Sequence, residues 1–348
     1  MTQKQAPTGS TTEPVREKVE FFDVLRCLAA LAVVAIHVLG PYRDQLGVIP
    51  DADWITAITV NSASRWAVPV FIMITGALML SDQRPFELGY YLKRRVGKVL
   101  VPFLVWSCFY ALLSGLTLRG FDSQVVWDKL LALPVHETYY HLGFFYYFLP
   151  LYIVVPFFRY AVQHSDRLTV IAMTLVWLTL TTLFLFHIDG PWSHQLVLYS
   201  GYLLWGYCLF QYQWPRAGVL WGLGLVALVI TDYSVLSDSF ASGQYTVGRW
   251  LSYKTLNTAL IAAAVFALGR YVATRCSARW MAGMVFMSRY SLGIYLLHPL
   301  FLWPVRAFDG YVWPPVVMIP LLTVLITAVS LAASWLLAKS AKTAWLVP

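Results

Sequence analysis

Residues Phe21 to Gly40 read FFDVLRCLAALAVVAIHVLG, and the fold turns on how this stretch is interpreted. It is an apolar run of about the ~20 residues an α-helix needs to cross a bilayer. Yet it carries Asp23 and Arg26 near its start and His37 near its end. Arg26 and His37 are eleven residues apart. At ~100° per residue, the imidazole returns to within about 20° of the guanidinium's face, roughly 16 Å further along the axis. Ionisable groups are expensive in a bilayer and by default face a water-filled cavity or a partner. Simpler roles exist for each group: Arg26 can snorkel to the headgroups, paired with Asp23 one turn earlier. His37 can be a neutral histidine bonded to a neighbouring helix. The rest of the chain weighs between them.

Of the 348 residues, 59% are hydrophobic and only 12% charged, with a mean hydropathy of +0.64. Soluble domains carry about a quarter charged residues, so the composition is that of an integral membrane protein. Fifteen tryptophans suit anchoring at two membrane interfaces. The net charge of +8 sits in short loops between apolar runs, not on one soluble face, and so argues for no nucleic-acid partner. Cys27, Cys108, Cys208 and Cys276 lie far apart, without CxxC or His/Cys ligand spacing, which argues against a disulfide framework or a metal site. Residues 1–20, MTQKQAPTGSTTEPVREKVE, are expected to be a disordered cytoplasmic tail. They are too long and acidic for a signal peptide, and no small-residue cleavage site follows the first apolar run.

The predicted architecture is all-α and polytopic, with about ten spans: 21–40, 55–80, 99–118, 141–161, 168–186, 196–211, 217–236, 254–272, 285–304 and 315–338. The second is expected to break at Pro69. Residues 339–348 form a short C-terminal tail. Lysine and arginine concentrate in the N-terminal tail, in the loop around Arg84 and Arg94, in the loop after the eighth span and at the C-terminus. With ten spans all of these fall on one side, so both termini are expected to be cytoplasmic. Arg26 then lies towards the cytoplasm and His37 in the outer half of the membrane.

Four further stretches carry candidate chemistry. In Tyr90 to Phe103, YYLKRRVGKVLVPF, the basic cluster is accounted for by topology alone, but Arg94, Arg95 and Lys98 at helical spacing also suit phosphate oxygens. Arg65, ahead of Pro69 in an inward-running span, is either interfacial or an acceptor-positioning group near His37. His141 opens an aromatic fourth span whose rings suit sugar faces or the membrane interface equally. In Ser288 to Pro299, SRYSLGIYLLHP, Ser288, Ser291 and Tyr295 share a helical stripe followed by His298. Small hydroxyls in membrane helices usually pack against neighbours. Three histidines at one outer depth argue for a shared polar cavity.

Arg26–x10–His37, the basic loop leading to Pro102, and SRYSLGIYLLHP together resemble the acyltransferase-3 family of membrane-bound O-acyltransferases, from Phe21 to about Ala338. The likeness is strongest to stand-alone members that acetylate bacterial surface polysaccharides and exopolysaccharides. One departure is Gly143, where related sequences often carry tryptophan. The resemblance implies a ten-helix core in the bacterial cytoplasmic membrane that uses cytosolic acetyl-CoA to acetylate a hydroxyl of a glycan or lipid-linked glycan, alongside polysaccharide-synthesis machinery. It implies His37 as the catalytic histidine and Arg26 as its paired arginine; Asp23, one turn earlier, is the group expected to orient Arg26. Donor binding is expected from Arg94, Arg95, Lys98, Arg26 and Arg289. Acceptor binding is expected from Arg65, His141, Tyr295 and His298. Besides membrane lipids, the expected partners are therefore acetyl-CoA and a glycan. A succinyl donor is the alternative within the family. Outside it, the rival is a proton-coupled glycan exporter or flippase with His37, His141 and His298 as relays. No inverted repeat or matched pair of broken helices supports that rival.

Overall fold

The computed structural model describes residues 20–117 and 120–348, so the expected N-terminal tail, Glu20 apart, lies outside the described residues. In chain order the helices are α1 Phe21–Val38, α2 Asp51–Ser64, α3 Ala67–Leu80, α4 Leu88–Tyr91, α5 Gly97–Ser114, α6 Ser123–Ala132 and α7 Gly143–His164. They continue as α8 Arg167–Leu185, α9 Gln195–Tyr207, α10 Ala217–Ser242, α11 Leu256–Ala273, α12 Ala278–Arg289, α13 Ser291–Ala307 and α14 Pro315–Ala338. Among the described residues the only sheet is a two-residue hairpin, β1 Leu116–Thr117 with β2 Gly120–Phe121. Helices satisfy their own backbone polar groups, which hydrocarbon requires. The chain is an all-α polytopic membrane protein.

Eight helical stretches among the described residues are long and apolar enough to cross a membrane, against the ten spans expected. The expected sixth and ninth spans correspond to α9 and α13, of 13 and 17 residues. Both are enclosed by protein: residues 198–207 of α9 and 293–299 of α13 are all buried. Helices walled in by neighbours meet little lipid, so packing sets their length more than hydrocarbon thickness does.

Two interruptions depart from the sequence expectation. The second span breaks at Arg65 and Trp66, between α2 and α3, not at Pro69. Pro69 lies in the first turn of α3, where a missing N–H costs no intrahelical bond. The expected ninth span starts late, because Tyr290 separates α12 from α13. Ser288 and Tyr295 therefore sit on different helices, and α12 is largely exposed with only Met281 and Ser288 buried.

α1 is the central element. Its apolar window is 78% buried, against 28% for α10 at the periphery, and it packs on α2, α3, α11, α12, α13 and α14. Beside it, α3 and α9 cross in backbone contact, made possible by glycine. A Cβ on Gly76 would stand 2.1 Å from the Leu203 carbonyl oxygen, and one on Gly206 would stand 2.1 Å from that of Met73. The C-terminal tail is docked: Trp106 Nε1 donates to the Leu346 carbonyl at 2.9 Å, and Val347 is buried.

Candidate active site

The last turn of α1 is pinned by side chains from the segment that follows it, from the end of α13 and from the segment after α13. A helix leaves its final carbonyls without backbone partners. Here Arg43 Nη2 donates to Ile36 O at 2.8 Å, Arg306 Nη2 to His37 O at 2.5 Å, and Tyr311 Oη to Val38 O at 2.8 Å. Cations at a helix C-terminus also complement its dipole, worth ~0.3–1 kcal/mol each. These caps hold the backbone beneath the His37 ring.

The ring itself is paired. His37 Nδ1 lies 2.8 Å from His298 Nε2, and the imidazoles stack with centroids 4.9 Å apart at 17°. The other nitrogen of His298, Nδ1, lies 3.2 Å from the Ile294 carbonyl. A carbonyl only accepts, so His298 Nδ1 carries the proton and its Nε2 is an acceptor. His37 Nδ1–H therefore donates to His298, leaving His37 Nε2 with its lone pair. The tautomers follow from this network. Among the described residues His37 Nε2 has no hydrogen-bond partner.

His37 lines a cavity of about 1180 Å³ whose wall includes Arg43, Arg65, Tyr140, His141, Tyr295 and Arg306. The loops bearing Pro41, Gln45, His136 and Asp309 also line it, which puts its mouth at the His37 end of the bundle. Tyr140, Phe144 and Tyr147 face it with helical spacing, whereas Ile153, Phe157 and Tyr160 of α7 point outward. The aromatic fourth span thus serves both roles, ring wall above and lipid face below. Tyr295 donates its hydroxyl to the His141 carbonyl. His141 sits among rings, 4.7 Å from Tyr110 and 5.5 Å from His298, and both its ring nitrogens lack a hydrogen-bond partner. His298 is fully buried behind His37.

At the opposite end of α1, Arg26 Nη1 lies 3.4 Å from Asp23 Oδ1, and Ser288 Oγ donates to the same oxygen at 2.6 Å. A pocket of about 290 Å³ opens near this basic end, lined in part by Asp82, Arg84, Glu87, Tyr91, Arg95 and Arg159. Arg84 hydrogen-bonds hold the Asp82 carboxyl down at about 2. Arg159 donates to the Arg84 carbonyl, which ties α7 to the loop after α3.

The sequence-derived candidates therefore divide. His37, His298, His141, Tyr295 and Arg65 gather at one cavity, and Asp23 with Arg26 form a pair at the other end. Of the basic cluster only Arg95 lines the second pocket. Arg94 and Lys98, four residues apart, share an exposed face outside it, whereas Arg95 lies about 100° further round the helix. Arg289 is exposed and lines neither space. Sequence reasoning passed over Arg43, Arg306, Arg84 and Arg159 as single loop or helix-end cations. Nothing in their spacing marks them.

Part of the chain is similar to a curated protein, the succinoglycan biosynthesis protein ExoH of Rhizobium meliloti (strain 1021), 30% identical over 121 residues. That match covers 32% of this chain and about a third, 31%, of the relative. No solved structure matches the chain. Residues 19–339 match the acyltransferase-3 family, described as an acyltransferase domain. With nearly all of its bundle inside that match, the chain belongs to the acyltransferase-3 family.

Proposed function

We propose that the protein transfers an acyl group, acetyl in the first instance, from cytosolic acyl-CoA to a hydroxyl of a surface polysaccharide, an exopolysaccharide or its lipid-linked precursor. Transfer takes place in the cavity at the His37 end, facing outward from the bacterial cytoplasmic membrane. The observation that carries this reading is the unprotonated His37 Nε2 on the wall of a tyrosine-lined cavity of about 1180 Å³. That volume exceeds the ~300–1,000 Å³ usual for small-molecule sites and leaves room for more than one sugar ring.

In this reading the acceptor hydroxyl gives its proton to His37 Nε2 as its oxygen attacks the thioester carbon. The Nδ1–H bond to His298 fixes the ring and stabilises the imidazolium that forms. Collapse of the tetrahedral intermediate breaks the C–S bond. His37 returns the proton to the departing thiolate, giving ester and free coenzyme A. Arg306, which touches the His37 backbone, and Arg65 across the cavity are the cations available to the oxyanion. An acetyl-histidine relay uses the same Nε2 as nucleophile but needs one step more.

The donor's phosphates are assigned to Arg95, Arg84 and Arg159 at the basic end. The pocket there is small, so it takes the phosphate end while the adenine stays outside. The pantetheine arm extends along α1 past Arg26, over the ~16 Å separating it from His37. Calorimetry of acetyl-CoA with detergent-purified protein tests this arrangement. Saturable micromolar binding is expected for wild type, weakened at least tenfold by Arg95→Ala and less by Arg94→Ala. No binding to well-folded wild type would overturn the acyl-CoA mechanism.

A further inference from the structure

Arg43, Arg65 and Arg306 all line the cavity that holds His37, and they come from three separate parts of the chain. Each spends a donor on a neutral acceptor: Arg43 on the Ile36 carbonyl, Arg306 on the His37 carbonyl, and Arg65 Nη1 on the Tyr253 hydroxyl at 3.3 Å. Their further contacts are also with neutral groups, the Tyr245 hydroxyl beside Arg65 and the Tyr311 hydroxyl beside Arg306, with ring faces of Tyr140 under Arg306 at 4.9 Å and Tyr253 under Arg65 at 5.6 Å. Among the described residues none of the three makes an ion pair, and the Nε of each is buried without a partner. The cavity's carboxylates, Glu137 and Asp309, are exposed. Arg43 feels the charge of the other two. Arg43, in the loop after α1, has its pKa lowered first by burial and next by the charge of Arg65, with Arg306 contributing.

Helix capping accounts for one N–H on Arg43 and one on Arg306, and it accounts for nothing on Arg65. Buried charges persist when compensated by an opposite charge. A guanidinium offers five donors in a fork that matches carboxylate and phosphate oxygens. We propose that these arginines form an oxyanion subsite, so that one of the two reactants carries a carboxylate or phosphate held in this cavity during transfer. The charge sits either on the acceptor, as in an acidic or phosphorylated glycan, or at the far end of a dicarboxylic acyl chain such as succinyl. The inference rests on the transferase reading for its meaning, though not for its first test.

That test is thermal stabilisation of the detergent-purified full-length protein by succinate, glucuronate and inorganic phosphate, with glucose as the neutral control. Saturable stabilisation by at least one anion and none by glucose is expected. Arg65→Gln should weaken it at least tenfold, and Arg65→Lys should restore part of it. Initial rates then distinguish the two sources. If the acyl chain carries the charge, Arg65→Gln lowers the succinyl-CoA to acetyl-CoA ratio of kcat/KM at least tenfold with any acceptor. If the acceptor carries it, the donor ratio holds, and the preference for an acidic oligosaccharide over its carboxyl-reduced form falls instead. Anions that act no differently from glucose, or ratios unchanged in Arg65→Gln, would overturn the proposal. Anion binding that depends on Arg65 in a protein that transfers no acyl group would uphold the subsite and overturn the transferase reading.

Discussion

His37 and His298 lie 261 residues apart in sequence and 2.8 Å apart in space, and their roles differ by which nitrogen is engaged. His37 exposes an unprotonated Nε2, while His298 uses one nitrogen on its own helix and the other on His37. His37→Ala is therefore expected to lower kcat by about 10²- to 10⁴-fold, the usual contribution of a general base. His298→Ala should cost less, on the order of tenfold in kcat with KM nearly unchanged, because it orients the base and does not transfer the proton. His298→Gln keeps an acceptor oxygen and should recover part of that loss. Steady-state kinetics on the three variants check this ordering. Equal kcat for His298→Ala and wild type would remove His298 from the site. The sequence marked both histidines as intramembrane and polar. Their contact was not legible, because helical periodicity says which face a side chain occupies and not which neighbour meets it.

At the level of helices, the site depends on two departures from a simple bundle. The break at Arg65 and Trp66 places a cation at cavity depth between α2 and α3. The close crossing of α3 and α9 seats that break against the rest of the core. Gly76 and Gly206 permit the crossing, since a Cβ at either would meet a carbonyl oxygen at 2.1 Å. Gly76→Val should destabilise the protein by about 2–3 kcal/mol, as overpacking of a tight interior does. It should also lower activity through the displaced α3. Gly222→Ala on α10 has open space around it and should gain up to ~1 kcal/mol from helix propensity. Thermal denaturation in detergent separates the two. A Gly76→Val protein as stable as wild type would mean the crossing is looser than its geometry. Such a crossing is visible in sequence only as isolated glycines in apolar runs, and Gly222 looks the same there as Gly76 does.

For the whole molecule, the charge distribution along the chain sets an orientation. The loops around Lys93 and Arg289 hold the dense basic residues, and the loops around Asp44 and Glu137 border the His37 cavity. Positively charged loops stay cytoplasmic, so the orientation we propose has the cavity facing outward. In a cysteine-free background, a membrane-impermeant thiol reagent should label Asp44→Cys on intact cells. It should reach Lys93→Cys only after permeabilisation. The reverse pattern would invert the assignment of donor and acceptor sides. The His37 cavity and the separate pocket beside the loop after α3 suit the proposed reaction, whose reactants arrive from different sides of a membrane.

The sequence by itself determined the membrane class, most span positions, the family resemblance and the placement of Arg26 and His37 on one helix. The resemblance rests on the motifs around Arg26, His37 and Ser288 to Pro299; the rest follows from composition and local periodicity, which act within about one helix length. Only the tertiary structure decided that His37 leans on His298, that Arg43 and Arg306 cap α1, and that Arg95 lines a pocket while Arg94 and Lys98 do not. It also decided that Arg43, Arg65 and Arg306 share one cavity. Those contacts join residues from different helices and loops, and their distances are set by how helices cross and where they break. Both depend on packing across the whole bundle.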